Sequence, residues 1–462
     1  MYHNVAPDPE RAEDNLLTPT YAARDMTRDI PKYTFPDDEV SARTAYNLIH
    51  DELIMDGNAR QNLATFVTTW MEPEAAQLMS ETFDKNMIDK DEYPQTAEIE
   101  KRCISMIADL WHGDEESVGT STIGSSEAAM LGGMALKWRW REKRRQAGKP
   151  AERPNLVIGA NAQICWHKFA RYWDIELREV PCEGDRFTLD APGALKLVDE
   201  NTIGVVVIMG STMDGSYEPV EAVCEALEAY EAETGIDIPV HVDAASGGFV
   251  APFIQPDLVW DFRLGRVASI NASGHKYGLV YPGVGWIVWQ KKAYLPEELL
   301  FHVSYLGGDM LDFSINFSRP GNQVIAQYYN FLRLGRDGYR RIHEASRDVA
   351  LYLSGAIAGM GPFELISDGG DIPVFCWRLR GDADVNFSLY DLAEKLRERG
   401  WLVPAYPMPK NRTDLVVQRI VVKEGLSRDM ADMLLEDIRR AVAWFAAQPN
   451  FAATTHGSHF RH

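Results

Sequence analysis

Three short stretches of this chain carry side chains whose types and spacing suit chemistry. Ser273-Gly274-His275-Lys276 places a lysine just past an apolar run, and the small residues Ala272, Ser273 and Gly274 leave the backbone open to a ligand. His241-Val242-Asp243-Ala244-Ala245 ends another apolar run on a carboxylate. Gly124-Ser125-Ser126-Glu127 opens a helix-like segment with two hydroxyls and a set of free backbone N–H groups. Each has an ordinary reading when taken alone: a solvated lysine, a turn aspartate, a plain helix cap. Taken in this order within one α/β unit, they match the needs of pyridoxal 5'-phosphate (PLP). A lysine forms an imine with the aldehyde. A carboxylate keeps the pyridine nitrogen protonated, so that the ring can accept electrons. A helix N-terminus cradles the phosphate. A second His-Lys pair, His167-Lys168, lies inside a helix-like run (Cys165–Tyr172) ahead of the aspartate strand, so Lys276 is the stronger candidate.

The elements that must position these groups alternate in type. Helical spacing is seen at Ala97–Leu110, Glu127–Arg145 and Glu221–Thr234. Short apolar runs at Leu156–Ile158, Gly204–Met209, Pro239–Val242, Val267–Asn271 and Gly285–Trp289 predict strands. This rhythm predicts an α/β fold with a large, mostly parallel sheet covered by helices on both faces. Ligands in such folds bind outside the carboxyl ends of strands. A long helical pattern at Val324–Ser346 leads to a smaller α+β unit. Its expected strands are Val374–Leu379 and Leu415–Val422, and its expected helices Leu389–Arg399 and Asp429–Ala447. The expected divisions are an N-terminal arm at 1–60, a large cofactor-binding domain at 61–346, a small C-terminal domain at 347–450 and a tail at 451–462.

Composition narrows the class. The 462 residues are 45% hydrophobic and 25% charged, as in an ordinary globular protein, and the formal charge of −21 disfavours nucleic acid and anionic membranes. The longest apolar stretches fall far short of a membrane span. The five cysteines are scattered without a CxxC pair, which argues against a disulfide framework or a zinc site and for reduced thiols in the cytoplasm. No metal is expected.

From about Tyr46 to about Ala447 the chain resembles the bacterial and plant-type glutamate decarboxylases, which are fold-type I PLP enzymes of the group II decarboxylases. The resemblance is carried by Asp56–Phe66, Gly119–Glu127, Gln163–Trp173, His241–Phe253, Ser273–Gly278 and Ile315–Gln327. It implies that Lys276 holds PLP and that His275, Ser125 and Ser126 contact the phosphate. It implies that Asp243 pairs with the ring nitrogen, that Ala245 and Gln163 lie on opposite ring faces, and that Thr212 sits at the cofactor's edge. Ser318 would reach the phosphate from a neighbouring subunit. Arg419 would bind the substrate α-carboxylate, a planar group suited to a forked guanidinium. Thr65, Phe66, Asn86 and Asp89 would surround the distal carboxylate, with Thr65, Asn86 and Asp89 facing a neighbour's cofactor. Tyr305 would donate a proton or act in a lid. His462, in Phe460-Arg461-His462, would close the site at neutral pH.

The implied reaction is decarboxylation of L-glutamate to 4-aminobutyrate, consuming one proton and proceeding at acid pH. The Ser318 and Thr65 readings imply a homodimer at least, and family members also form hexamers. Two departures stand out: Leu279–Gly285 reads as more plant-like than some enterobacterial relatives, and Arg461 replaces the family's lysine. No tryptophan- and lysine-rich tail of the calmodulin-binding kind is present, so calmodulin is not expected as a partner. Decarboxylation of another amino acid such as aspartate, transamination, and PLP binding without turnover are the competing readings.

Overall fold

The computed structural model describes residues 30–303 and 310–455. The chain divides into two compact units, Met1–Asn58 and Ala59–His462. In the first, Ser41 caps a helix at Ala42–Leu53, its hydroxyl accepting from Thr44 N at 3.1 Å.

The second unit is built on a seven-stranded sheet. Its strands are β1 (Val118–Thr122), β2 (Asn155–Gly159), β3 (Glu176–Val180), β4 (Thr202–Ile208), β5 (Val240–Asp243), β6 (Val267–Ser273) and β7 (Gly285–Trp289). They lie in the order β1-β7-β6-β5-β4-β2-β3. Neighbours from β6 through β3 run parallel, whereas β7 is antiparallel to both β6 and β1. Two reversals leave β1 pointing the same way as β6. The carboxyl ends of β1, β2, β4, β5 and β6 therefore open onto one edge of the sheet.

The central strands are buried along their whole length, which is why they read as continuous apolar runs. Period-two alternation sends their side chains into two cores. Val205 and Val207 of β4 join one cluster, with Val157, Val242 and Trp286; Val206 and Ile208 join another, with Leu156, Ile158, Trp166 and Phe169.

A short antiparallel pair, β8 (Phe301–Val303) and β9 (Met310–Asp312), precedes a helix at Asn322–Ala358. A four-stranded antiparallel sheet follows: β10 (Phe363–Ser367), β11 (Val374–Leu379), β12 (Ala405–Pro407) and β13 (Val416–Val421). Helices at Leu389–Arg397 and Arg428–Ala446 cover it, and Phe375, Trp377, Leu392, Ile420 and Leu434 fill the core between. The segment at 62–68 stitches this sheet to the large one. Leu63 exchanges backbone bonds with Leu402 and Val421, and Thr68 N reaches His275 O at 2.8 Å.

One close approach fixes where the Ser125 helix begins. A Cβ built on Gly285, at the start of β7, would lie 2.4 Å from Gly124 C and 2.6 Å from Ser125 N. Only glycine lets the strand pass there. Gly285→Ala is expected to destabilise the fold by about 1–3 kcal/mol, as overpacking of a buried site does. Chemical denaturation against wild type checks this; an unchanged midpoint would show that the backbone yields freely.

Candidate active site

The common sheet edge encloses a cavity of about 390 Å³. Lys276, His275, Asp243, Ala245, Thr212, Gln163, Ser125 and Ser126 all line it, so every residue expected at the cofactor except Ser318 meets there. Asn161, Cys165 and Ser246 also line it and were not anticipated.

Each group arrives from the end of a strand. β6 ends at Ser273 and turns through Gly274 and His275 to Lys276. A Cβ on Gly274 would stand 2.3 Å from Gln327 Oε1, so the turn packs directly on the Asn322–Ala358 helix. Beyond it Leu279 takes a left-handed φ of 63°, rare for a branched side chain. Asn330 holds that residue, donating to Leu279 O at 2.5 Å, while Val280 N closes the turn onto Gly274 O at 3.2 Å. Thr68 Oγ1 donates to Lys276 O at 2.7 Å. The lysine backbone is thus fixed from three sides, and its amine lies 3.4 Å from Ser246 Oγ. Burial lowers the Lys276 pKa and Arg419 adds to that, against an opposing pull from Asp243. The rival Lys168 is exposed on its helix.

Asp243 ends β5 and is 5% exposed. Its Oδ2 accepts from Trp166 Nε1 at 2.8 Å; its Oδ1 accepts from Asn271 Nδ2 at 3.0 Å and Ala245 N at 3.1 Å. β1 leads into the helix Ser125–Gln146, whose N-cap Gly124 supplies no side-chain bond. The first N–H groups of that helix are left for an anion. Ser273 Oγ donates to Ser125 Oγ at 2.7 Å, fastening this helix start to the end of β6. Gln163 caps the next helix, its Oε1 accepting from Cys165 N at 2.6 Å.

Arg419 comes from β13. Its Nη1 donates to Thr212 O and its Nη2 to Ala64 O at 2.6 Å, while Nε is buried without a partner. The Phe66 ring lies between the two cations, 5.2 Å from Lys276 Nζ and 4.9 Å from the Arg419 guanidinium carbon. Phe66 therefore belongs to this chain's own site. Thr65 lies on the same segment, its Oγ1 accepting from Val67 N at 3.2 Å. On either side of Thr65, Ala64 binds this chain's own Arg419 and Thr68 its lysine turn.

Asn86 and Ser318 are elsewhere and together. Asn86 Nδ2 donates to Ser318 Oγ at 3.3 Å, and Arg319 N donates to Asn86 Oδ1 at 3.0 Å. Asp89 follows on the same turn, its N–H reaching Asn86 O at 3.2 Å. None of the three lines the cavity. Tyr305 and His462 lie outside the described residues.

The donor set fits PLP: an amine, a carboxylate locked by three donors, an uncapped helix start with two hydroxyls, and a buried guanidinium N–H without a partner. A model of pyridoxal-dependent decarboxylases matches residues 31–380. The chain is 57% identical to a glutamate decarboxylase of Aliivibrio fischeri, over 96% of each chain. It is 52% identical to a glutamate decarboxylase beta of Listeria innocua, over 93% of this chain and 94% of that one. The solved glutamate decarboxylase of Lactobacillus brevis superposes with a TM-score of 0.90 at 50% identity, covering 93% of this chain and 98% of that one.

Burial, then the Lys276 charge, pushes the His275 pKa down from 6.5 to about 4. Between those values the unfolded chain carries a proton that the folded chain lacks, so stability falls as pH drops through that window. The slope from one such group is at most about 1.4 kcal/mol per pH unit. His275→Gln is expected to flatten the loss for the ligand-free protein. Denaturation at pH 7 and pH 4.5 checks it, and an equal loss in both proteins would clear His275.

Proposed function

The chain belongs to the family of pyridoxal-dependent decarboxylases, and from that premise we propose that it converts L-glutamate to 4-aminobutyrate and carbon dioxide. The observation that carries this is the convergence on one cavity of Lys276, Asp243 and the uncapped Ser125 helix, flanked by Arg419 with an unpartnered Nε. Identities of 50% and more to glutamate decarboxylases, over nearly the whole chain, support glutamate as the substrate.

Bound PLP supplies the electron sink for the pair left when the Cα–carboxylate bond breaks. Lys276 would hold it, with Asp243 at the ring nitrogen, Ala245 and Gln163 on the ring faces, and Thr212 at its edge. Ser125, Ser126 and His275 would take the phosphate. Arg419 would offer its Nε to the α-carboxylate while the carbonyls of Ala64 and Thr212 hold the rest of the fork. Thr65 and Phe66 would guide the other end of the substrate. Fixing both ends holds the breaking bond in line with the ring's π-system. The cavity belongs to residues 61–346 and the arginine to 347–450, the division this reading uses.

The Asn86–Ser318 pair supports a homodimer in which each chain completes its partner's site, Ser318 at the phosphate and Asn86 and Asp89 at the distal carboxylate. A carboxylate facing a carboxylate needs a shared proton, which favours work at acid pH. Tyr305 as proton donor and His462 as a plug rest on sequence resemblance. Among the described residues no helix is long and apolar enough to cross a membrane. The five cysteines are free and buried, which supports a cytoplasmic address.

Product analysis with L-glutamate and L-aspartate tests the central reading. Glutamate should yield 4-aminobutyrate, and Lys276→Ala should abolish it; release of carbon dioxide from aspartate alone would overturn the substrate. The same variant tests the shared site. Mixed with an Asn86→Ala/Ser318→Ala chain it should regain activity that neither has alone, and no gain would place both sites within single chains. Ending the chain after Phe451 should raise activity at neutral pH; an unchanged pH profile would remove His462 from the scheme.

A further inference from the structure

Behind Asp243 runs a line of polar side chains in a place where the sheet is otherwise apolar. A bulge between Val240 and His241 shifts the register of β5 on β6, setting His241 opposite Ser269 and Asp243 opposite Asn271. Without that slip His241 would face the apolar side of β6. His241, Ser269 and Asn271 are each 1% exposed or less. Burying these three together with Asp243 costs free energy unless all are satisfied, and here they are satisfied in sequence.

The direction of the chain follows from its end. A carboxylate only accepts, so Asn271 must turn its Nδ2 toward Asp243, at 3.0 Å. Its Oδ1 then faces His241 Nε2 at 2.7 Å, which must carry the proton. His241 Nδ1 is left to accept from Ser269 Oγ, also at 2.7 Å. Burial disfavours a second proton on the ring. Trp166 covers the imidazole edge-on at 5.2 Å and also donates to Asp243. A Cβ on Gly132 would lie 2.5 Å from His241 Cε1, so the helix that starts at Ser125 rests against this ring.

We propose that His241 is a positioning residue: held as the Nε2–H tautomer, it fixes the Asn271 amide so that Asp243 keeps a side-chain donor on Oδ1 and presents its remaining lone pairs to the PLP ring nitrogen. The inference rests on the reading of Asp243 given above. Because the same imidazole supports the Ser125 helix, it also spaces that helix from Asp243.

The test uses the holoenzyme reconstituted with PLP carrying nitrogen-15 in the ring, whose chemical shift reports protonation. His241→Phe keeps an aromatic ring at the position, somewhat larger than imidazole, and removes its N–H. It should move the signal toward the unprotonated value and weaken PLP affinity about tenfold, the loss expected when a donor to a charged group is disordered. His241→Gln, whose amide still donates to Asn271, should restore most of both. A wild-type shift and affinity in folded His241→Phe would overturn the proposal. So would equal loss of thermal stability in both variants with no change at the ring nitrogen, since that is the signature of core packing. If His241→Phe does not fold, Ser269→Ala, which alters only the far end of the line, should move the signal in the same direction; no movement counts against the proposal. Asp243→Asn is the control. If it leaves the ring nitrogen unchanged, the assignment of Asp243 fails and this inference falls with it. If it moves the signal and the His241 and Ser269 variants do not, the inference alone falls.

Discussion

A carboxylate at the end of a fully buried strand must find donors, and the fold around Asp243 is arranged to supply them. The three it has come from three places: Trp166 on the helix after β2, Asn271 on β6, and the backbone of Ala245 in its own turn. Each donor fixes an element. Trp166 sets the Ile164–Tyr172 helix against β5, and Asn271 sets the β5–β6 register. An unpaired charge at this depth would cost several kcal/mol, so these contacts are conditions for burying the aspartate at all. The geometry of the site and the stability of the central sheet are consequently one problem, solved by the same bonds.

The lysine turn shows the complementary arrangement. Here the backbone is strained and held from outside, with Leu279 at positive φ, Asn330 and Gln327 bonded to the carbonyls of Leu279 and Gly278, and Thr68 bonded to both His275 and Lys276. Strain of this kind persists only where surrounding structure over-determines it. The amine that results is buried beside Phe66 and Arg419, with a lowered proton affinity. A lysine in solution would be a poor nucleophile at neutral pH because it is protonated; this environment works against that.

The large sheet was legible where apolar runs were continuous. β7 matches its expected range, and β2, β4, β5 and β6 fall within a few residues of theirs, because strands buried on both faces need no alternation to be seen. β1 and β3 were not visible. Val118-Gly119-Thr120-Ser121-Thr122 is polar yet largely buried, its Ser121 and Thr120 hydroxyls satisfied by Glu100. Glu176–Val180 is a charged edge strand whose composition gives no strand signal. In the site, the lysine, the aspartate and the serine helix start could be read from local chemistry. The rest of the assigned set, Arg419 and Phe66 included, came from resemblance. Asn271 and Trp166 could not be found either way: Asn271 meets Asp243 through a register shift between β5 and β6, and Trp166 reaches it from a separate helix, neither of which a local pattern encodes.

One residue of the cavity's lining ties it to a loop outside the cavity. Glu127, third residue of the helix that begins at Ser125, spends its carboxylate on backbone N–H groups: Ile123 on one oxygen, Ile315 and Asn316 on the other. Arg319 continues the hold, bonding Ser314 and lying 3.7 Å from Glu100 and 3.8 Å from Asp312. This clamp fixes residues 314–319 and, through Asn86, presents an exposed Ser318 away from its own chain's lysine. A loop destined only for solvent would not need a buried arginine, three carboxylates and an asparagine to fix it. Such rigidity is what the proposed homodimer would require of a surface that completes a partner's site. The same glutamate stands beside this chain's own phosphate cradle, so the element that receives one cofactor is tied directly to the loop that would help hold another.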